Sequence, residues 1–163
     1  MGLKDFLFGK KVAKEIICSV ANGDVIKLED VPDPVFAQKM VGDGIAVLPS
    51  DNNIYSPVDG VVDNILDSKH AFTIVTKHGA QVLVHIGLDT VKLKGQYFSM
   101  DIKSGDEVKQ GQKIGEVDFE SVKSEGYNLH TMILIANTDE YSKIIYTDKN
   151  NVKYNDMILE LNK

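Results

Sequence analysis

From residue 14 onward, apolar and polar positions alternate in short runs, and turn residues close each run after roughly eight to twelve positions. The pattern predicts strands over Glu15–Val20, Gly23–Lys27, Ile45–Pro49, Gly60–Leu66, Ala71–Lys77, Gln81–Ile86, Lys113–Asp118, His130–Ala136 and Met157–Leu161. Between them Gly42-Asp43-Gly44, Pro57-Val58-Asp59-Gly60, Ser104-Gly105-Asp106, Gln110-Gly111 and residues 147–151 supply turn chemistry. Helical periodicity is poor, with short helical turns predicted only at Pro34–Met40 and Phe119–Lys123. The expected fold is all-β, a sandwich or barrel with short helical turns, as one domain over residues 15–163. Residues 1–14 form a separate N-terminal segment, flexible or amphipathic. Ser19–Val25 and Ser56–Val62 echo each other, each with a small polar opening, an Asn/Asp-Gly step and β-branched residues. Such an echo suits a sandwich built from related hairpins.

The richest hairpin runs from His70 to His85 and is broken only at His78-Gly79. A two-residue turn there, with φ > 0 at both positions, suits Gly well and His tolerably. Ile74 then faces Leu83, Phe72 faces His85 and His70 faces Gly87. His70 and His85 become diagonal neighbours on one face, roughly 7–8 Å apart at the backbone. A register slip of one residue would separate them. Paired imidazoles at a strand end suit the shuttling of a group. His78 reads as the turn itself and His130 as a residue at the edge of the core.

Composition narrows the classes. The net charge is −6, and all 18 basic residues are Lys, so a nucleic-acid reader built on arginine forks is disfavoured. The acidic balance favours a partner with a positive face. The one cysteine, Cys18, lies in an apolar run and reads as a small buried hydrophobe in a reducing compartment. No apolar run approaches the ~20 residues of a membrane span, and the expected location is cytoplasmic. Leu3, Phe6 and Leu7 at helical spacing beside Lys4, Lys10 and Lys11 could rest on an anionic membrane surface, so any membrane contact would be peripheral.

Val31–Lys39, Val41–Ala46, Pro57–Gly60, His70–Phe72 and the block Val84-His85-Ile86-Gly87-Leu88-Asp89-Thr90-Val91-Lys92-Leu93-Lys94-Gly95 resemble the glucose-type enzyme IIA of the bacterial phosphoenolpyruvate:sugar phosphotransferase system. The motifs occur in order from about residue 15 onward. The resemblance implies a phosphocarrier that takes a phosphoryl group from the small carrier protein HPr and passes it to a cysteine of the IIB domain of a sugar transporter. It implies an antiparallel β-sandwich, a barrel-sandwich hybrid with the two histidines in a shallow depression, and maps the phosphorylated nucleophile to His85 and its partner to His70. It further implies that the Gly87 carbonyl orients His85 and the Ser68 hydroxyl orients His70. Ser at position 68, where the family commonly has Thr, keeps the hydroxyl but loses χ1 stiffness, which leaves His70 more loosely held. The implied docking surface is an apolar ring of Val35, Phe36, Met40, Val41, Leu66, Leu83 and Val91, with Asp33 and Asp89 meeting basic residues of HPr. Leu66 and Leu83 stand where aromatics are familiar. No cofactor is implied.

Two other chemistries compete. Paired histidines could be zinc ligands, but a catalytic zinc needs three protein ligands, and the His-x-His of peptidases with a related barrel is absent. Adventitious zinc at His70 and His85, completed by a partner's carboxylate, fits better than hydrolysis. Ser104–Gly115 resembles the turn of lipoyl- and biotinyl-type carriers, yet no Met-Lys-Met tip accompanies it, so it reads as scaffold. Regulatory binding of permeases or kinases by the unphosphorylated form is compatible with the phosphocarrier reading.

Overall fold

The computed structural model describes residues 14–163, so the predicted N-terminal segment lies outside the described residues except for Lys14. Fourteen strands are present among them: β1 Lys14–Cys18, β2 Gly23–Lys27, β3 Asp43–Pro49, β4 Asn53–Tyr55, β5 Gly60–Ile65, β6 Ala71–Val75, β7 Gln81–Ile86, β8 Phe98–Met100, β9 Glu107–Val108, β10 Lys113–Val117, β11 Thr131–Ile135, β12 Lys143–Tyr146, β13 Asn151–Val152 and β14 Met157–Asn162. Two short helices, α1 Pro34–Ala37 and α2 Phe119–Ser124, complete the regular elements with a few 3₁₀ turns. The nine expected strands all form, shortened or extended by a residue or two at half of their ends. β4, β8, β9, β12 and β13 are additional. Helix α1 stops at Ala37, three residues short of the expected end, and Lys39 then takes φ 60°.

All strand pairings are antiparallel. One eight-stranded sheet has the order β13-β2-β3-β11-β7-β6-β5-β9, and two three-stranded sheets have the orders β1-β14-β12 and β4-β10-β8. Exchanging β1–β3 with β4–β6, and β7–β10 with β11–β14, maps this topology onto itself. The Ser19 and Ser56 echoes mark the symmetry. Each serine is fully buried and donates its hydroxyl to the carbonyl two residues on, at 2.6 and 2.7 Å. Their backbones bond equivalent turns, Ser19 to Asp156 and Asn155, Ser56 to Gln112 and Gly111.

Alternation along the large sheet divides the interior. Val82, Val84, Ile86, Ile133, Ile135, Ile45 and Val47 point into the main core between the sheets. Ala46, Met132 and Leu134 point to the other face, where Leu28, Val31, Phe36 and Leu88 cover them in a smaller cluster. β11 is buried along its whole length because both of its faces are covered. His85 lies on that second face, directly opposite Met132. The segment 28–37 thus roofs one part of the sheet and leaves the neighbouring part, around His85, at its edge. Cys18 is buried, as its apolar run implied.

Candidate functional site

The hairpin of β6 and β7 has a different register from the one expected. The pairs are Ala71 with His85, Phe72 with Val84, Thr73 with Leu83 and Ile74 with Val82. The connection is a three-residue loop, Lys77-His78-Gly79, and only Gly79 has positive φ, at 97°. Thr76 sets this geometry: its backbone N–H donates to the Ala80 carbonyl, and its side-chain oxygen accepts from the Ala80 N–H at 2.9 Å. His78 sits exposed in the turn, as expected.

In this register His70 and His85 would lie on opposite faces if strict alternation continued to residue 70. It does not. β6 starts at Ala71, and the chain reaches it through a tight turn in which Lys69 adopts φ 65° and donates its N–H to the Leu66 carbonyl. The turn swings the His70 ring round the strand end onto the His85 side. Ala71, directly across from His85, contributes only a methyl group and leaves that space open. The rings end 4.8 Å apart between centroids, edge to face at 86°. A slip of one residue therefore accompanies the pairing and does not break it, because the turn, not the pleat, aims His70.

His85 is half-buried, and its Nδ1 lies 2.9 Å from the Gly87 carbonyl oxygen. A carbonyl only accepts, so Nδ1 carries the proton and Nε2 keeps its lone pair. Burial lowers the His85 pKa, against opposing contributions from the Gly87 bond and the carboxylates of Asp33 and Asp89. His70 is 3 % exposed, and its Nδ1 pairs with the Ser68 hydroxyl at 2.6 Å. Its pKa is pushed down to about 4, first by burial and then by the neighbouring His85. Both rings are therefore neutral near pH 7, and each has one N–H and one ring nitrogen with a lone pair. His130 is half-buried with a desolvated Nδ1 that lacks a partner, in keeping with a core-edge role.

The surrounding residues divide into two groups. Val35, Met40, Val41, Leu66 and Val91 are exposed, at 38–67 %. Phe36 is not part of the exposed ring: it is 7 % exposed, belongs to the second cluster and packs its ring 4.8 Å from that of His85. Helix α1 imposes this, since Asp33 caps it by accepting from the Val35 N–H and turns Phe36 toward the sheet while Val35 faces outward. Leu83 is half-buried beside the same cluster. Among the described residues no group of three or more His, Cys, Asp or Glu side chains is arranged to hold a metal ion, so a hydrolytic zinc centre lacks its donor set. No helix there is long and apolar enough to cross a membrane.

Thr90 and Asn128 are site-shaping residues that sequence reasoning overlooked. Gly87 has φ 80°, and a Cβ there would meet Thr90 Cγ2 at 2.5 Å and the Asn128 carbonyl oxygen at 3.2 Å. Only the Gly-x-x-Thr spacing within 87–90 hinted at this contact.

A family model described as the phosphoenolpyruvate-dependent sugar phosphotransferase system, EIIA 1, matches residues 15–141. The chain is 41% identical over 166 aligned residues to the PTS system glucose-specific EIIA component of Haemophilus influenzae, covering 100% of both. It is also 41% identical to the protein of the same description from Staphylococcus aureus, across 88% of this chain and 87% of the relative. Among solved structures, the glucose permease IIA from Mycoplasma capricolum superposes with a TM-score of 0.85 at 33% identity, over 90% of this chain and 95% of that one.

Proposed function

The chain belongs to the EIIA 1 family of the phosphoenolpyruvate-dependent sugar phosphotransferase system, and we propose that His85 is the residue on which it carries the phosphoryl group. The observation that carries this reading is the bond from His85 Nδ1 to the Gly87 carbonyl, which leaves Nε2 unprotonated beside His70. Nε2 attacks the phosphorus of phospho-HPr. An N–P bond to His85 forms as the N–P bond to the donor imidazole breaks, and the proton stays on His85 Nδ1, donated to the Gly87 carbonyl. In the forward step a cysteine thiolate of a IIB domain attacks the same phosphorus, and the electron pair returns to Nε2. Little covalent apparatus is needed beyond alignment and charge stabilisation.

His70 supplies the stabilisation in this reading. Ser68 occupies its Nδ1, so Nε2–H is the donor left for a phosphoryl oxygen. The exposed apolar residues Val35, Met40, Val41, Leu66 and Val91 form the docking patch shared by both partners. Asp33 and Asp89 present negative charge to a basic partner surface. The phosphoryl group is carried covalently without a cofactor, and the carrier works at the cytoplasmic side. A zinc ion at His70 and His85 would need a further ligand from a bound partner. Regulatory binding of the unphosphorylated form would use the same patch.

The test is label transfer from phosphoenolpyruvate in the presence of enzyme I and HPr. Wild type takes up acid-labile, HPr-dependent label and His85→Ala takes up none. Label on the His85→Ala protein, or none on either with active controls, overturns the assignment.

A further inference from the structure

The two peptide planes flanking Gly87 are fixed from outside the strand. In the plane between Ile86 and Gly87, the Ile86 carbonyl accepts the Thr90 hydroxyl at 2.5 Å, and the Gly87 N–H donates to the His130 carbonyl at 2.9 Å. In the plane between Gly87 and Leu88, the Leu88 N–H donates to the Asn128 carbonyl at 3.1 Å, and the carbonyl accepts from His85. Thr90 is fully buried and opens the 3₁₀ turn Thr90–Leu93, entered through Asp89 at φ 61°. Its methyl group packs against the face of Gly87 where a side chain would stand.

We propose that Thr90 is a positioning residue of the site: its hydroxyl clamps the peptide that enters Gly87 and its methyl group packs on Gly87, which together hold the φ of 80° that aims the Gly87 carbonyl, in the next peptide, at His85 Nδ1. His130 and Asn128 contribute only backbone carbonyls, which no side-chain replacement removes. Among the described residues, Thr90 is the one side chain besides His85 that hydrogen-bonds either of these two peptides. If the hydroxyl is lost, the Ile86–Gly87 peptide loses its anchor at the carbonyl end, and the backbone can rock about a residue with no Cβ to resist it and turn the Gly87 carbonyl away from His85. The Nδ1 proton then loses its acceptor, and His85 populates the tautomer with Nε2 protonated, which cannot attack. The consequence for rate rests on His85 being the nucleophile, whereas the consequence for the tautomer does not.

The test uses the full chain with Thr90→Val, which keeps the shape and removes the hydroxyl, and Thr90→Ser, which keeps the hydroxyl. Imidazole nitrogen shifts report the His85 tautomer, and backbone amide spectra report folding. Wild type shows one tautomer, protonated at Nδ1. Thr90→Val shows a mixture and accepts phosphoryl groups from phospho-HPr about tenfold more slowly, the population cost of one hydrogen bond. Thr90→Ser restores the single tautomer. A folded Thr90→Val protein that keeps the wild-type tautomer overturns the inference, whatever its transfer rate. Loss of the tautomer in Thr90→Ser as well overturns it too, since the hydroxyl would then not be the cause. Failure of label transfer in wild type, with these shifts as expected, counts against the phosphocarrier reading and not against the role of Thr90.

Discussion

His70 meets His85 edge to face at 4.8 Å, yet only His85 has its ring proton fixed by a carbonyl, while His70 is paired with a hydroxyl that can donate or accept. The two rings are thereby inequivalent. In the proposed reading His85 is the nucleophile and His70 an adaptable donor. Replacement should therefore affect the two half-reactions unequally. His70→Gln is expected to accept phosphoryl groups from phospho-HPr and to pass them poorly to a IIB domain, because stabilisation of the transferring group is lost while Nε2 of His85 stays available. Single-turnover rates in each direction measure this, and equal forward transfer by the variant and wild type would remove His70 from the assigned role.

Phe36 and its neighbours Val35 and Met40 are close in sequence but separate in energetics. Phe36 is buried against His85 in the second cluster, whereas Val35 and Met40 are 41 % and 67 % exposed. Phe36→Ala should cost roughly 3 kcal/mol of stability through the cavity it leaves. Val35→Ala and Met40→Ala should stay within about 0.5 kcal/mol of wild type, as surface substitutions do, while weakening partner binding. Urea unfolding paired with titration of HPr separates the two effects. A destabilised Met40→Ala, or a Phe36→Ala as stable as wild type, would contradict this division of the ring.

Much of this was legible in the alternation. β2 and β7 keep the bounds read from the pattern, because their short β-branched runs adjoin clear turn residues, Asn22-Gly23 and Gly87 among them. β9 and β13 have only two residues each, and β4 and β8 three, too few to show a period. β12, Lys-Ile-Ile-Tyr, is exposed at every residue but the half-buried Ile144 and gives no alternation to read. The hairpin register failed for a local reason: the Thr76 side chain bonds the Ala80 N–H and favours three loop residues over two. The pairing of the histidines was anticipated with the wrong geometry, since the left-handed Lys69 that aims His70 leaves no mark in the hydrophobic pattern. Phe36 could not be told from its exposed neighbours, because burial there depends on which side of a single helical turn faces the sheet.

Ser68 holds a buried imidazole nitrogen, and the bond to His70 is formed at 2.6 Å in spite of the missing β-methyl group of a threonine. Ser68→Ala leaves His70 Nδ1 buried without its partner, which costs about 1–3 kcal/mol. Ser68→Thr should retain the bond and the stability. Forward transfer should fall in the alanine variant and persist in the threonine variant. Unfolding curves and transfer rates on both proteins decide it, and an alanine variant equal to wild type in both would show that Ser68 does not orient His70.

Acid should destabilise the fold through this same pair. The unfolded chain takes a proton on His70 near pH 6.5, whereas the native protein holds that proton off until about pH 4 because the ring is buried beside His85. Between those values the unfolded state binds more protons, so stability falls as the pH falls. The contribution of the neutral, buried ring is complete above about pH 6.5 and is lost progressively toward pH 4, to a total of roughly 3 kcal/mol for this size of shift. His85, whose pKa is also lowered, adds to the slope in the same direction. His70→Gln cannot titrate, and its amide can still meet the Ser68 hydroxyl, so the variant should lose stability less steeply over the window. Urea unfolding at intervals from pH 7 to pH 4 measures both slopes. Parallel slopes for variant and wild type would mean that His70 titrates in the native state as it does in the unfolded chain, and that its burial does not keep it neutral.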